Sequence, residues 1–224
     1  MQLKSLFAAG ALGLAVFATP HAVMAEEVFD APVATRQANE TGLQTAIFAG
    51  GCFWGIEAIF SHTRGVTSAV SGYHGGTAST ATYRQVSSGA TRHAEVVRVT
   101  YDPSVVRYDQ LLQILFSVGA DPTLLNEQGP DHGPQYRSAI VPMNGEQRAV
   151  AEAYLRQMGS SGVWRRPIAV AIEDYQQFYE AEASHQDFLL RNPNSAYIRR
   201  WDQPKVEALE ENFPSLWRAR FRTG

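Results

Sequence analysis

The sequence predicts a single α/β or α+β layered domain, and three observations carry that reading. Strand-length and helix-length apolar patterns alternate along the chain, separated by glycine-, proline- and asparagine-rich turns. The chain has 224 residues, 45% of them hydrophobic, enough to bury one well-packed core. No internal repeat or low-complexity segment divides it.

The chain opens Met1-Gln2-Leu3-Lys4, followed by an apolar stretch from Leu6 to Ala18 and then Val23-Met24-Ala25. That is the pattern of a secretory signal, with small residues where a signal peptidase cuts, so cleavage is expected after Ala25. The apolar stretch is roughly 13 residues, short of the roughly 20 that cross a bilayer. The expected organisation is a signal over 1–25, a flexible polar lead over 26–42 and the domain over 43–224, exported to a bacterial periplasm or secreted.

Within the domain, Gln44 to Ala49 reads as a strand, broken by Gly50-Gly51, and Phe53 to Phe60 has helical apolar spacing. Gly65 to Ser71 reads as a strand, and Gly72-Tyr73-His74-Gly75-Gly76 as a loop. Ala94 to Tyr101 alternates, with Glu95, Val97, Val99 and Tyr101 on one side, and Asp102-Pro103 closes it. Tyr108 to Val118 is helical, and Asp121 to Pro134 is a long loop, a feature that tends to be functional in compact domains. Tyr136 to Val141 is a strand, Asn144 caps a helix through about Met158, and Pro167 to Ile172 is another strand. A helix from about Gln177 to Leu190 and a loop-like tail from Asn192, anchored by Trp201, Phe213 and Trp217, complete the prediction.

A net charge of -3 with 18% charged residues supplies no basic stripe for nucleic acid and no polybasic cluster for anionic lipid. A small molecule or peptide is the expected substrate, and a monomer the expected state. His62, His74, His93, His132 and His185 show no zinc-ligand spacing, so neither a metal nor another cofactor is expected.

Cys52 is the only cysteine, which excludes an internal disulfide in an exported chain. The count alone fits an inert core thiol equally well. Its neighbourhood favours chemistry. Cys52 stands at a strand-to-helix turn, where unpaired backbone N–H groups and the helix dipole favour thiolate over thiol. Phe53 and Trp54 follow it and can wall an apolar pocket suited to a methyl or thioether group.

The run Ala49-Gly50-Gly51-Cys52-Phe53-Trp54-Gly55 resembles the active-site motif of A-type peptide methionine sulfoxide reductases. The resemblance continues through Ser71-Gly72-Tyr73, Thr82-Tyr83, His93-Ala94-Glu95, Tyr101-Asp102-Pro103, Asp121-Pro122-Thr123, Gln128-Gly129, Asp131, Gln135-Tyr136-Arg137-Ser138, His185-Gln186 and Asn192-Pro193. It implies a two-layer sandwich around a mixed, mainly antiparallel sheet, with a ferredoxin-like plait. It also implies reduction of the S epimer of methionine sulfoxide, in proteins and with the free amino acid as a further candidate substrate, through a Cys52 sulfenic acid. By motif position Glu95 is the acid that protonates the sulfoxide oxygen, which burial would allow by raising its pKa. Tyr83 and Tyr136 match the phenols that hydrogen-bond that oxygen, Asp131 the site aspartate, and Phe53 and Trp54 the methyl pocket.

The sequence departs from the family where other members carry recycling cysteines: Tyr197-Ile198 follows Asn192-Pro193, and Ser87 stands where a cysteine is common. An external thiol, from a thioredoxin-like or glutaredoxin-like protein, is therefore expected to resolve Cys52. Arg92, Ala120, Glu127 and Ser184 replace a Gly, a His, an Arg and a Tyr respectively. Two rival readings stand beside the reductase. One is a Cys-His hydrolase or acyltransferase using Cys52, His93 or His185, and Asp131. The other is a non-catalytic binder of oxidised methionine.

Overall fold

The computed structural model describes residues 28–224, so the predicted signal and its cleavage point lie outside the described residues. The chain forms β1 (Gln44–Gly50), α1 (Phe53–Ser61), β2 (Val66–His74), α2 (Tyr83–Val86), β3 (Ala94–Tyr101), α3 (Tyr108–Ile114), β4 (Glu127–Gln128) and β5 (Asp131–His132). It continues through β6 (Ser138–Val141), α4 (Gly145–Ser160), β7 (Ala171–Ile172), β8 (Phe178–Glu180), α5 (Phe188–Arg191) and α6 (Gln203–Asn212).

Six strands make one sheet in the order β7-β6-β1-β3-β2-β8, and β4-β5 form a separate small hairpin. Every pairing in the large sheet is antiparallel except β6 with β7, so the sheet is mixed and mainly antiparallel. Strand side chains alternate between faces, and the burial follows that period. Phe48, Ala69, Tyr73, Val97, Val99, Tyr101 and Ile140 pack with α1, α3 and α4 in the main core, while Ile47, Ala49, Val70, Val96 and Val141 form a smaller cluster. Glu95 shares the parity of Val97 and Val99, which aims it at the helical layer, toward the start of α1. Phe48 ties the layers together, stacking on Phe60 of α1 at 5.1 Å and on Tyr108 of α3 at 5.9 Å. Asn144 caps α4 as its sequence predicts, its side chain accepting the Gln147 N–H at 2.8 Å.

Several expectations are corrected. The predicted loop at Gly72-Tyr73-His74 is the end of β2, because the backbone there pairs on both sides, with β3 and with β8. The glycine is used for packing: a Cβ on Gly72 would sit 2.3 Å from the Phe178 ring. The predicted strand Pro167–Ile172 shrinks to Ala171–Ile172. The helix predicted from Gln177 to Leu190 does not form. Phe178–Glu180 is instead an edge strand on β2, and the Gln186 amide bonds both the N–H and the carbonyl of Ser71, so tertiary partners override local spacing.

The tail is helical where a loop was expected. Ile198–Asp202 is a π-helical turn, and α6 follows with Pro204 in its first turn and Val206 and Leu209 buried. Trp201, Phe213 and Trp217 are half-buried, with Phe213 and Trp217 packed on the main core.

The lead over 28–42 has no helix or strand, and hydrogen bonds tie it to the domain. Tyr154 donates to the Pro32 carbonyl, Gln157 bonds Val33 and Thr35, Asp109 accepts the Ala38 N–H, and Tyr101 donates to Glu40 at 2.6 Å. Ala31, Ala34 and Ala38 are buried beneath those bonds. Side chains supply the partners that secondary structure would otherwise provide, which periodicity cannot register.

Candidate active site

The site forms where β1 hands over to α1. Gly51 has φ +88°, in the left-handed region, and a Cβ there would lie 2.5 Å from the Cβ of Gln128. Cys52 follows as the N-cap residue of α1, with φ -58° and ψ 124°. It is 8% exposed, at the edge of the main core. Gly55 lets a second carboxyl approach, since a Cβ on it would fall 2.4 Å from Oδ1 of Asp202.

Glu95 is 1% exposed, and its Oε2 accepts the backbone N–H of Phe53 at 3.1 Å. Burial pushes its carboxyl up to about 8; the Phe53 N–H opposes this, and the Asp131 and Asp202 charges add to it. A neutral carboxylic acid therefore stands at the first turn of the helix that carries Cys52. Its neighbour Tyr73, paired with Glu95 across the strands, donates to Glu182 Oε2 at 2.8 Å.

The expected thiolate is corrected. Burial raises the Cys52 pKa well above the ordinary thiol value, the Glu95 and Asp202 carboxyls raise it further wherever they ionise, and the Trp54 backbone N–H lowers it only in part. The helix N-terminus acts in the predicted direction, but desolvation and neighbouring carboxyls outweigh it. The resting group is a protonated thiol.

Tyr83 and Tyr136 lie within electrostatic reach of Cys52, Glu95 and Asp131. Burial pushes Tyr83 up to about 12, with Glu95, Cys52 and Asp131 contributing. Burial likewise raises Tyr136, followed by Glu95, Asp131 and Cys52. Both phenols remain hydrogen-bond donors across the neutral range. Asp131 is half-buried at the end of the small hairpin, and its Oδ2 accepts the Tyr197 hydroxyl. Burial raises its carboxyl, opposed by Tyr197, Lys205 and His132.

Aromatic rings close the apolar side. Phe53 is buried 5.8 Å from Tyr73 and 5.6 Å from His185. Half-buried Trp54 stacks on Phe188 at 3.7 Å, meets Tyr197 edge-on and donates Nε1–H to His185 Nδ1 at 3.2 Å. His185 in turn stacks on Tyr83 at 4.1 Å. Ring contacts, hydrogen bonds and charge coupling thus make neighbours of Cys52, Phe53, Trp54, Tyr83, Glu95, Asp131 and Tyr136.

Residue-level reading missed Tyr197, Asp202 and Glu182 as members of this constellation. Tyr197 precedes and Asp202 ends the π-helical turn of the misread tail, and no local pattern marks them. Among the described residues neither His93 nor His185 hydrogen-bonds Cys52. The His93 ring is held by the Gly76 N–H and the Thr77 carbonyl, and His185 Nδ1 is occupied by Trp54. Among the described residues no group of three or more His, Cys, Asp or Glu could hold a metal ion, and no helix is long and apolar enough to cross a membrane.

Comparison with known proteins gives the family. Residues 44–216 match the family model described as peptide methionine sulfoxide reductase. The chain is 51% identical over 176 residues to peptide methionine sulfoxide reductase MsrA 2 of Mesorhizobium japonicum, covering 79% of this chain and 90% of the relative. It is 46% identical over 188 residues to MsrA 2 of Synechocystis sp., covering 84% and 86%. Among solved structures, reduced Mxr1 of Saccharomyces cerevisiae aligns with TM-score 0.61 at 31% identity over 72% of this chain and 92% of that one. Methionine sulfoxide reductase A of Corynebacterium diphtheriae aligns with TM-score 0.58 at 33% identity, covering 79% and 87%.

Proposed function

Because the chain belongs to the peptide methionine sulfoxide reductase family and is an oxidoreductase that reduces methionine sulfoxide, we propose a specific course for its reaction. It acts on the S epimer in oxidised proteins and peptides, through a sulfenic acid on Cys52. The single observation that supports this best is a neutral, buried Glu95 at the N-terminus of the helix led by Cys52.

The substrate methyl group enters the wall made by Phe53 and Trp54, with its sulfur against Cys52. The Cys52 sulfur attacks the sulfoxide sulfur while Glu95 delivers its proton to the sulfoxide oxygen, and Tyr83 and Tyr136 donate hydrogen bonds to that oxygen. The oxygen passes to Cys52, methionine leaves as the reduced product, and the thiol proton restores Glu95. Cys52 is oxidised by two electrons to the sulfenic acid, and the substrate sulfur is reduced by two. An external thiol then condenses with the sulfenic acid, releasing water, and a second thiol frees Cys52 as a disulfide departs. A thioredoxin-like or glutaredoxin-like protein is the proposed donor, because Cys52 is the only cysteine. Tyr197 and Asp131 form the polar wall on the side facing the tail.

Single turnover tests the intermediate. Mixing the enzyme with excess peptide S-sulfoxide and no thiol is expected to yield one methionine per chain and a Cys52 adduct with a sulfenic-acid trap. Continuing turnover without added thiol would refute the one-cysteine cycle. Export with cleavage after Ala25 is likewise proposed, and N-terminal sequencing that finds Met1 intact would refute it.

A further inference from the structure

We propose that Gln128 is a positioning residue that locks the Asp131 arm of the site to the backbone platform of Cys52. The inference rests on reading Asp131 as a wall of the sulfoxide pocket. Gln128 is 2% exposed, and its amide is fully used within one small region. Nε2 donates to the Asp121 carbonyl at 2.8 Å and to Ser138 Oγ at 3.0 Å, while Oε1 accepts the Asp121 N–H at 3.0 Å.

Each anchor leads to the site. Ser138 pairs with Gly50 in the sheet, two residues before Cys52. Gln128 itself pairs with Asp131 in the small hairpin, and Asp131 holds the Tyr197 hydroxyl. The alkyl part of Gln128 fills the space that a Gly51 side chain would need, 2.5 Å from its Cβ and 2.9 Å from its Cγ. Gln128 therefore touches the residue before the nucleophile and pairs with the residue opposite it.

Only glutamine satisfies these partners. Glutamate would set an oxygen against the Asp121 carbonyl, asparagine is one methylene too short, and an apolar residue would leave a buried carbonyl and N–H without partners. Without the amide, the hairpin and the thiol platform can drift apart, and drift of that size weakens binding and catalysis.

The test is steady-state kinetics on a peptide methionine sulfoxide with saturating dithiothreitol, comparing Gln128→Met, Asp131→Asn and the double variant. Methionine keeps the alkyl body under Gly51 and removes all three hydrogen bonds. The expected result is a KM raised about tenfold with a smaller change in kcat, and a double variant no worse than Asp131→Asn, because the two act as one unit. A KM within about twofold of wild type for Gln128→Met, or losses that multiply in the double variant, would overturn the proposal. If Asp131→Asn alone leaves KM unchanged, the placement of Asp131 fails first, and the coupling fails with it. Should Gln128→Met not fold, Ser138→Ala carries the test. It removes one of the three bonds and is expected to raise KM about two- to threefold, and an unchanged KM would refute the lock.

Discussion

Glu95 Oε2 lies 3.1 Å from the backbone nitrogen of Phe53, so the acid and the nucleophile are held by the same helix turn. The strand supplies the carboxyl and the first turn of the helix donates to it. Burial raises that carboxyl to about 8, which leaves it mostly protonated at pH 7.

Glu95→Gln should therefore lower the single-turnover rate by about 10²–10⁴ while leaving the fold intact. In the wild type the rate should fall as pH rises through about 8, where Glu95 loses its proton. The glutamine variant should lack that alkaline limb. Rapid-quench measurement of methionine formed against pH checks both, and an unchanged rate in the variant would exclude Glu95 as the acid.

A second buried carboxyl bears on stability. Glu57 on α1 is 1% exposed, and burial pushes it up to about 8, with the Asp187 N–H at 3.0 Å opposing. Folded Glu57 and Glu95 both hold protons that their unfolded forms lose near 4.5, so their contribution is fully present below that pH and is lost as pH rises toward 8. The slope is at most about 1.4 kcal/mol per pH unit per group. His62, His93 and His185, lowered from 6.5 mainly by burial, act in the opposite sense below that pH, so denaturant midpoints should fall from pH 7 to pH 8, and Glu57→Gln should flatten the fall. A midpoint that rises over this range would contradict the assignment.

Gly55→Ala reverses a familiar sign. An exposed helical glycine gains up to about 1 kcal/mol when replaced by alanine. Here the added methyl meets Asp202 Oδ1 at 2.4 Å and Lys205 Cδ at 3.4 Å, so a loss of about 1–3 kcal/mol is expected. Equilibrium unfolding in urea measures it, and a stabilised variant would show that α6 yields at no cost.

The lead contributes to stability as well. Glu40 accepts hydrogen bonds from Tyr101 at 2.6 Å and from Gln147 at 3.1 Å. Glu40→Ala should destabilise the domain by about 1–3 kcal/mol, because the buried Tyr101 hydroxyl loses its acceptor. A wild-type thermal midpoint for that variant would mean the strap is dispensable.

These relationships were legible in the sequence to different depths. Cys52 could be placed from local pattern, since a glycine pair ends a strand and helical spacing begins directly after it. Glu95 could be aimed from strand alternation, which sets it with Val97 and Val99 on the buried face. Its raised pKa follows from the same burial. The state of Cys52 could not be read, because burial in the assembled fold, helped by the Glu95 and Asp202 carboxyls distant in sequence, outweighs the helix dipole. Tyr83, Tyr136 and Asp131 were identified only through the family resemblance, as they lie in or beside elements of two to four residues, too short to show a period. Tyr197 and Asp202 escaped because the π-helical turn that presents them is fixed by packing of α6 against α1. The segment 177–190 misled for a related reason: Phe178 and Gln186 find their partners on β2, and those long-range contacts outweigh local helical spacing.

The most direct test of the account is turnover of peptide methionine sulfoxide with dithiothreitol, with the S and R epimers assayed separately on wild type, Cys52→Ser and Glu95→Gln. The account predicts reduction of the S epimer alone, abolished by Cys52→Ser and reduced about 10²–10⁴-fold by Glu95→Gln. Equal turnover of both epimers, or activity that survives loss of the Cys52 thiol, would contradict it.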